Sequence, residues 1–150
     1  MNNFDYNRLY LTSDGRIGRQ DFWMGVLGFV VVDIIIILIV ALLFGMNSGA
    51  SRVILFIVQL VLAYPAYNLL GKRFQDRDKP AMYAAIIIGI NLVLQLLGLF
   101  GLTGDPAAPN FLGTIFGLIS LAIGIWVLVE LGILRGTVGP NQYGPDPVGM

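Results

Sequence analysis

One residue able to do chemistry stands inside an apolar run: Asp33, the only charge over residues 22–44. If that run is a helix, it is about 34 Å long and Asp33 lies about 16 Å into it, near the centre of a hydrocarbon core of about 30 Å. A carboxylate at that depth is costly, so it must face other helices and be protonated or paired. Gln59 and Asn91 reach comparable depth in two further apolar runs, about 18 Å and 15 Å from the ends of those runs. Asp33, Gln59 and Asn91 therefore predict a midplane polar cluster. Two roles fit it: a proton or ion relay, or hydrogen-bonded glue between helices. The glue role requires nothing beyond the helices themselves.

A second group of chemically able residues sits outside the apolar runs. The segment Lys72-Arg73-Phe74-Gln75-Asp76-Arg77-Asp78-Lys79-Pro80 is the densest in charge. Lys72 and Arg73 precede Asp76 by four and three residues. A helix continuing into this segment would bring both cations to that carboxylate. Asp78 is placed to cap the next helix, with Pro80 pre-set for its first turn. Glu130 lies about 7 Å from the end of the last apolar run, within reach of Lys72 or Arg73 as an ion pair. Arg16 and Arg19 join this set if the topology puts them on the same side. Asp76 or Glu130 as base, with the arginines as an anion clamp, would make an enzyme acting on a lipid head group.

What is missing weighs against catalysis. The chain has no cysteine and no histidine. That excludes disulfides, thiolate chemistry and histidine-based triads, and it removes the commonest metal ligands. No phosphate-binding loop, dinucleotide fingerprint or calcium loop occurs. No catalytic residue, metal ligand or cofactor is assigned.

The elements that must position these residues follow from composition. Hydrophobic residues make up 57% of the 150 and charged residues 12%, against about 25% charged in a soluble domain. Such a chain lacks the polar surface to stay in water. The apolar runs predict four transmembrane helices over about 22–44, 52–70, 81–102 and 111–134, in one all-α bundle spanning 1–150. The first run is too long for a signal peptide. The runs do not alternate as membrane barrel strands would. Turns are predicted at 45–51 and 104–110, a helix stop at Gly136, and an irregular Gly- and Pro-rich tail after it. Gly113, Gly117, Ser120 and Gly124 share one narrow face of the fourth helix, which predicts close packing inside the bundle or in a dimer, the former preferred.

Orientation follows from the basic residues. Segments 1–21, 71–80 and 135–150 hold eight of the nine, and Arg52 alone lies on the other side. The positive-inside rule makes those three segments, and both termini, cytoplasmic. Trp23, Tyr64, Tyr67 and Tyr83 lie near that face as an aromatic belt. The basic loop would attract anionic lipid. Because the cations lie against the membrane, nucleic acid is not an expected partner.

Three segments resemble one family. They are Gly15-Arg16-Ile17-Gly18-Arg19-Gln20-Asp21-Phe22-Trp23, the Lys72-Arg73-Phe74-Gln75-Asp76 stretch, and Gly136-Thr137-Val138-Gly139-Pro140-Asn141-Gln142-Tyr143-Gly144-Pro145-Asp146-Pro147. Together they resemble the domain-of-unknown-function 805 family, small bacterial inner-membrane proteins of the YhaH type. Gln75 stands where that family usually has histidine, and Pro80-Ala81-Met82 replaces its Ser-Gly-Trp stretch. The resemblance implies a bacterial inner-membrane location and brings no activity, cofactor or substrate. It also implies that the three segments belong together as one cap. In that cap Arg16, Arg19, Arg73, Asp76 and Glu130 form a polar network closed by Asn141 and Tyr143. The expected function is a non-enzymatic binding, assembly or accessory protein in the lipid bilayer, working at its cytoplasmic end with a membrane-protein partner or a second copy. The alternatives are a small transporter or channel subunit using Asp33, and the head-group enzyme.

Overall fold

The computed structural model describes residues 5–46, 48–105 and 108–148. Asn47 and Pro106, which fall in two of the expected turns, lie outside them. Four helices carry the chain: α1 (Arg19–Phe44), α2 (Gly49–Asp76), α3 (Met82–Leu99) and α4 (Phe111–Val127). α4 widens at its end into a π-helical turn, Leu128–Ile133, and a second π-helical turn, Asn7–Leu11, precedes α1. Counting α4 with its wider end, all four are long and apolar enough to cross a membrane. A two-residue antiparallel ribbon, β1 (Gly104–Asp105) with β2 (Ala108–Pro109), joins α3 to α4.

Local chemistry explains the helix ends away from the basic segments. Gly45 closes α1 at a φ of 79°, a left-handed conformation that glycine adopts without penalty. The Ser48 hydroxyl accepts from the Ser51 N–H at 3.0 Å and starts α2. The Asn110 side chain accepts from the Gly113 N–H at 2.9 Å and starts α4. Both are N-caps of the preferred residue types.

At the other end α2 runs on beyond the expected span to Asp76, the continuation that a contact between Arg73 and Asp76 requires. Lys72, Arg73 and Asp76 are all buried there, because each finds partners. Asp78 does not cap α3. Ala81 precedes its first residue, with no side-chain cap, and the Asp78 carboxylate instead accepts from Gln142 Nε2 at 3.2 Å. The last helix ends at Ile133, at the expected end of the fourth span, with Leu134 already extended.

The core lies at one end of the bundle rather than along its middle. Leu9, Ile17, Phe22, Leu69, Phe74, Ala84, Ile87 and Leu131 form it. Phe74 stacks against Tyr83 and Trp126 with ring centroids 5.6 and 5.7 Å away. Along the apolar stretches few residues are buried. In lipid there is little hydrophobic gain from hiding one helix face against another, so helices can leave apolar side chains outward. Where the chain leaves the bilayer, it must exclude water as a soluble domain does. α2 is the central element there, packing on both α1 and α3.

The small-residue face of α4 does not pack inside the bundle. A Cβ built on Gly117 or Gly124 meets nothing within 4 Å, and both residues are exposed. Only Gly113 is needed sterically, because a Cβ there would overlap the Thr103 backbone. Helical spacing reveals that the four residues share a face but not which way the face turns. Gly113→Ala should therefore destabilise the protein by about 1–3 kcal/mol through overpacking. Gly117→Ala and Gly124→Ala should be neutral or slightly stabilising, since alanine is the better helix former. Thermal unfolding in detergent micelles checks the contrast.

Candidate functional site

Asp76, in the last turn of α2, is 2% exposed and is held by two buried arginines. Arg73, one turn back on the same helix, pairs with its Oδ2. Arg16, from the segment before α1, donates from Nε to Oδ1 at 3.1 Å. Two guanidiniums against one carboxylate leave an excess of positive charge at the site. The predicted contact of Lys72 with Asp76 is not made. The Lys72 ammonium turns to the other side of α2, where it donates to the Arg8 carbonyl and approaches Thr12 Oγ1 at 3.5 Å.

The rest of the two guanidiniums is spent on backbone. The end of α4 exposes carbonyls that have no partner within their own helix, and four consecutive ones are met from α1 and α2. Arg73 Nε donates to Leu131 O at 2.7 Å and its Nη2 to Leu134 O at 2.7 Å. Trp23 Nε1 donates to Gly132 O and Arg19 Nη1 to Ile133 O, both at 3.2 Å. Cations at a helix C-terminus also complement its dipole. Trp23 lies flat enough on Gly132 that a Cβ there would clash with its ring.

Arg16 organises the tail. Its Nη2 donates to Thr137 O at 2.6 Å, and its Nη1 to Gly139 O at 2.7 Å and Gly144 O at 3.2 Å. Gly139 and Gly144 have φ of 77° and 137°, conformations that turn their carbonyls inward and that other residues adopt poorly. The tail returns bonds to α2: the Thr137 N–H donates to Asp76 O at 2.8 Å, and Asn141 Nδ2 to Gln75 O at 2.9 Å. Gly136 is obligatory because the Asp76 carboxylate fills the space a Cβ would take. Asp146 fixes the tail's own turn, accepting the Gly139 and Val148 N–H groups at 3.0 Å each. Those two bonds, the Val148 one first, hold its carboxyl below the ordinary carboxylate value.

The expected network is thus partly assembled. Arg16, Arg73, Asp76 and Asn141 are joined. Arg19 takes part only through Ile133 O and is exposed. Tyr143 enters by its backbone N–H, which donates to Asn141 Oδ1 at 2.9 Å. Glu130 pairs neither with Lys72 nor with Arg73. It takes Lys79 Nζ at 2.7 Å and Arg77 Nε at 3.0 Å, because the π-helical turn carries it to the outer side of the loop. In the apolar region, Gln59 Nε2 donates to Asp33 Oδ1 at 2.9 Å, linking α1 to α2. Asn91 Nδ2 instead bonds Ile87 O of its own helix at 3.0 Å.

Sequence reasoning missed the wedge formed by Asn7–Leu11. Tyr10 OH donates to Gly25 O at 2.7 Å, and Asn68 Nδ2 to Tyr10 O at 2.7 Å, so the wedge docks between α1 and α2. The signal was the apolar run Leu9-Tyr10-Leu11 in a segment rich in polar residues. A cavity of about 290 Å³ beside Asp76 was also not foreseen. It is lined by Gly18, Arg19, Arg73, Asp76, Arg135 and Asp146 among others. Among the described residues, no group of His, Cys, Asp or Glu is arranged to hold a metal ion.

Residues 10–145 match the family described as protein of unknown function (DUF805), and the chain belongs to that family. An uncharacterized protein, YiiR, from Escherichia coli strain K12 is 28% identical over 137 residues, covering 88% of this chain and 83% of its own. YiiR of Escherichia coli O157:H7 matches to the same extent. No solved structure matches the chain. With bacterial relatives and four helices able to span a bilayer, this is a multi-pass membrane protein of a bacterial family.

Two outcomes follow from the site. Asp76→Asn leaves two buried guanidiniums without their counter-ion and should destabilise by about 3–5 kcal/mol. Lys79→Ala, at a more exposed pair, should cost about 1 kcal/mol or less. Unfolding followed by the fluorescence of Trp23 and Trp126, both at this end, distinguishes them. For Asp146, a folded-state pKa below the unfolded one means its contribution is present above the ordinary carboxylate value and lost as pH falls through the folded value. Protection of the Gly139 and Val148 amides, relative to free amides at the same pH, should therefore fall in acid, and Asp146→Asn should show that loss of protection already at neutral pH.

Proposed function

We propose that this DUF805 protein is a non-enzymatic binding or assembly protein of the bacterial inner membrane, with its working surface at the cytoplasmic end of the bundle. The observation that carries the reading is the interlocked cap. Three segments distant in sequence converge on Asp76, and their polar groups are spent on holding backbone in place. Such an arrangement makes a rigid, shaped surface. It does not present a nucleophile with a base beside it, as covalent catalysis requires. The cytoplasmic assignment is supported by the gathering of eight basic residues at this end, with Arg52 at the other.

The partner in this reading is another membrane component: anionic lipid, a membrane protein or a second copy of the chain. A second reading, a small transporter or channel subunit, is favoured by one observation, the Asp33–Gln59 bond within the apolar stretches. A satisfied pair of this kind also serves as helix glue, which needs no hydrated path.

Truncation after Arg135 removes the tail and opens the cap, while α1 to α4 keep their apolar lengths. Purified from native membranes beside the full chain, the truncated protein should lose the co-purifying lipid or protein that the full chain retains. Identical co-purification would remove the cap from consideration as the working surface. Asp33→Asn should leave that co-purification unchanged. A proton-dependent flux in liposomes, present in the parent and lost in Asp33→Asn, would establish the second reading instead.

A further inference from the structure

The cavity beside Asp76 carries more charge than its own structure consumes. Five of the charged side chains at this end line it: Arg19, Arg73, Arg135, Asp76 and Asp146. Three are committed. Arg73 and Asp76 pair with each other, and Asp76 also holds Arg16. Asp146 has both oxygens occupied by backbone N–H groups. Two arginines remain. Arg19 spends one nitrogen on Ile133 O. The guanidinium of Arg135 has no hydrogen-bond or ion-pair partner among the described residues, although its own carbonyl accepts from Arg77. Both side chains are exposed and reach the same space.

The chemistry of the missing partner follows. Two guanidinium forks of five donors each suit a multi-oxygen anion, and phosphate or carboxylate are the groups they bind in bidentate fashion. The cavity of about 290 Å³ has the volume of roughly ten waters, ample for a phosphate with its ester substituents. Gly18, which lines the cavity, precedes α1 without any side-chain cap, and a helix N-terminus without one also favours an anion.

Position narrows the source. Trp23 lies one turn along α1 from Arg19 and is 43% exposed, the pattern of an aromatic side chain at the level of lipid head groups. Ile133 and Leu134, whose carbonyls are taken by Arg19 and Arg73, leave 56% and 38% of themselves exposed at the same edge. A ligand here would meet cations on one side and apolar surface on the other. We infer that this cavity binds the phosphate group of an anionic phospholipid, with Arg19 and Arg135 as the clamp and Arg73–Asp76 as its fixed floor. The inference deepens the reading of the cap as the working surface and rests on it.

The test uses the full chain in neutral detergent, with phosphatidylglycerol, phosphatidylcholine and inorganic phosphate as probes, read by native mass spectrometry and thermal shift. The parent should retain phosphatidylglycerol over phosphatidylcholine, and Arg19→Gln with Arg135→Gln should reduce that retention roughly tenfold. Arg52→Gln, at the opposite end, should not. If millimolar inorganic phosphate stabilises the parent but not the double variant, and phosphatidylglycerol gives no preference, the site and its chemistry stand but the lipid source is overturned. Equal phosphatidylglycerol retention by the parent and the double variant, or an equal loss in Arg52→Gln, overturns the site. Should the double variant fail to fold, Arg135→Gln alone, which breaks no side-chain hydrogen bond or ion pair among the described residues, carries the test with a partial loss expected. Failure here leaves tail-dependent co-purification of a protein partner untouched, so the two readings fail separately.

Discussion

The contact on which the polar end of this protein depends is the Asp76 carboxylate between Arg16 and Arg73. Alone, each of these groups would be prohibitively costly to bury. Together they offset most of that cost, with one positive charge in excess, and the remaining guanidinium donors become available for backbone. Arg73 then holds the end of α4, and Arg16 holds the tail at Thr137, Gly139 and Gly144. One ion triad thereby ties the segment before α1, the end of α2, the end of α4 and the C-terminal tail. Buried pairs of this kind are weak sources of net stability, but removing one member strands the others. The triad acts as a geometric constraint: the cap assembles when all three members meet.

The same triad explains why the core lies where it does. The spans are loosely associated by the measure of burial, with apolar side chains facing outward into what would be lipid. Order is concentrated where the helices emerge. Phe22, Leu69, Phe74, Ile87 and Leu131 form the apolar filling around the charged centre, and Trp126 and Tyr83 cover Phe74. The protein behaves physically as two solvents' worth of design in one chain. In the bilayer, backbone satisfaction by helix formation suffices. At the polar end, irregular backbone must be satisfied by side chains, and arginine supplies the most donors per residue.

Against this background the midplane acid takes a minor part. Asp33 has a hydrogen-bond donor in Gln59, and that bond joins α1 to α2. Asn91 stays with its own helix. The capped end also holds the cavity, lined by Arg19 and Arg135 beside the Arg73–Asp76 pair.

The sequence by itself determined the four helices, because continuous apolar runs of membrane-crossing length admit no other backbone solution in lipid. It also determined that the basic segments share one side, and the spacing of Arg73 and Asp76 already implied their contact once α2 was long enough. What only the tertiary structure decided is which partners the charges choose. Lys72 and Arg73 are adjacent in sequence, but neighbouring helix positions point about 100° apart, so one meets the N-terminal wedge and the other meets Asp76. Glu130 was close enough to several cations for distance along the chain to allow any of them. The π-helical turn at the end of α4 selected Arg77 and Lys79. The small-residue face of α4 was legible as a face, but its outward direction was not, because lipid and a packed neighbour tolerate the same residues. Arg16 is the clearest case. The family resemblance already implied a network that joins it to Asp76, but only the folded chain shows that it also holds three carbonyls more than a hundred residues away.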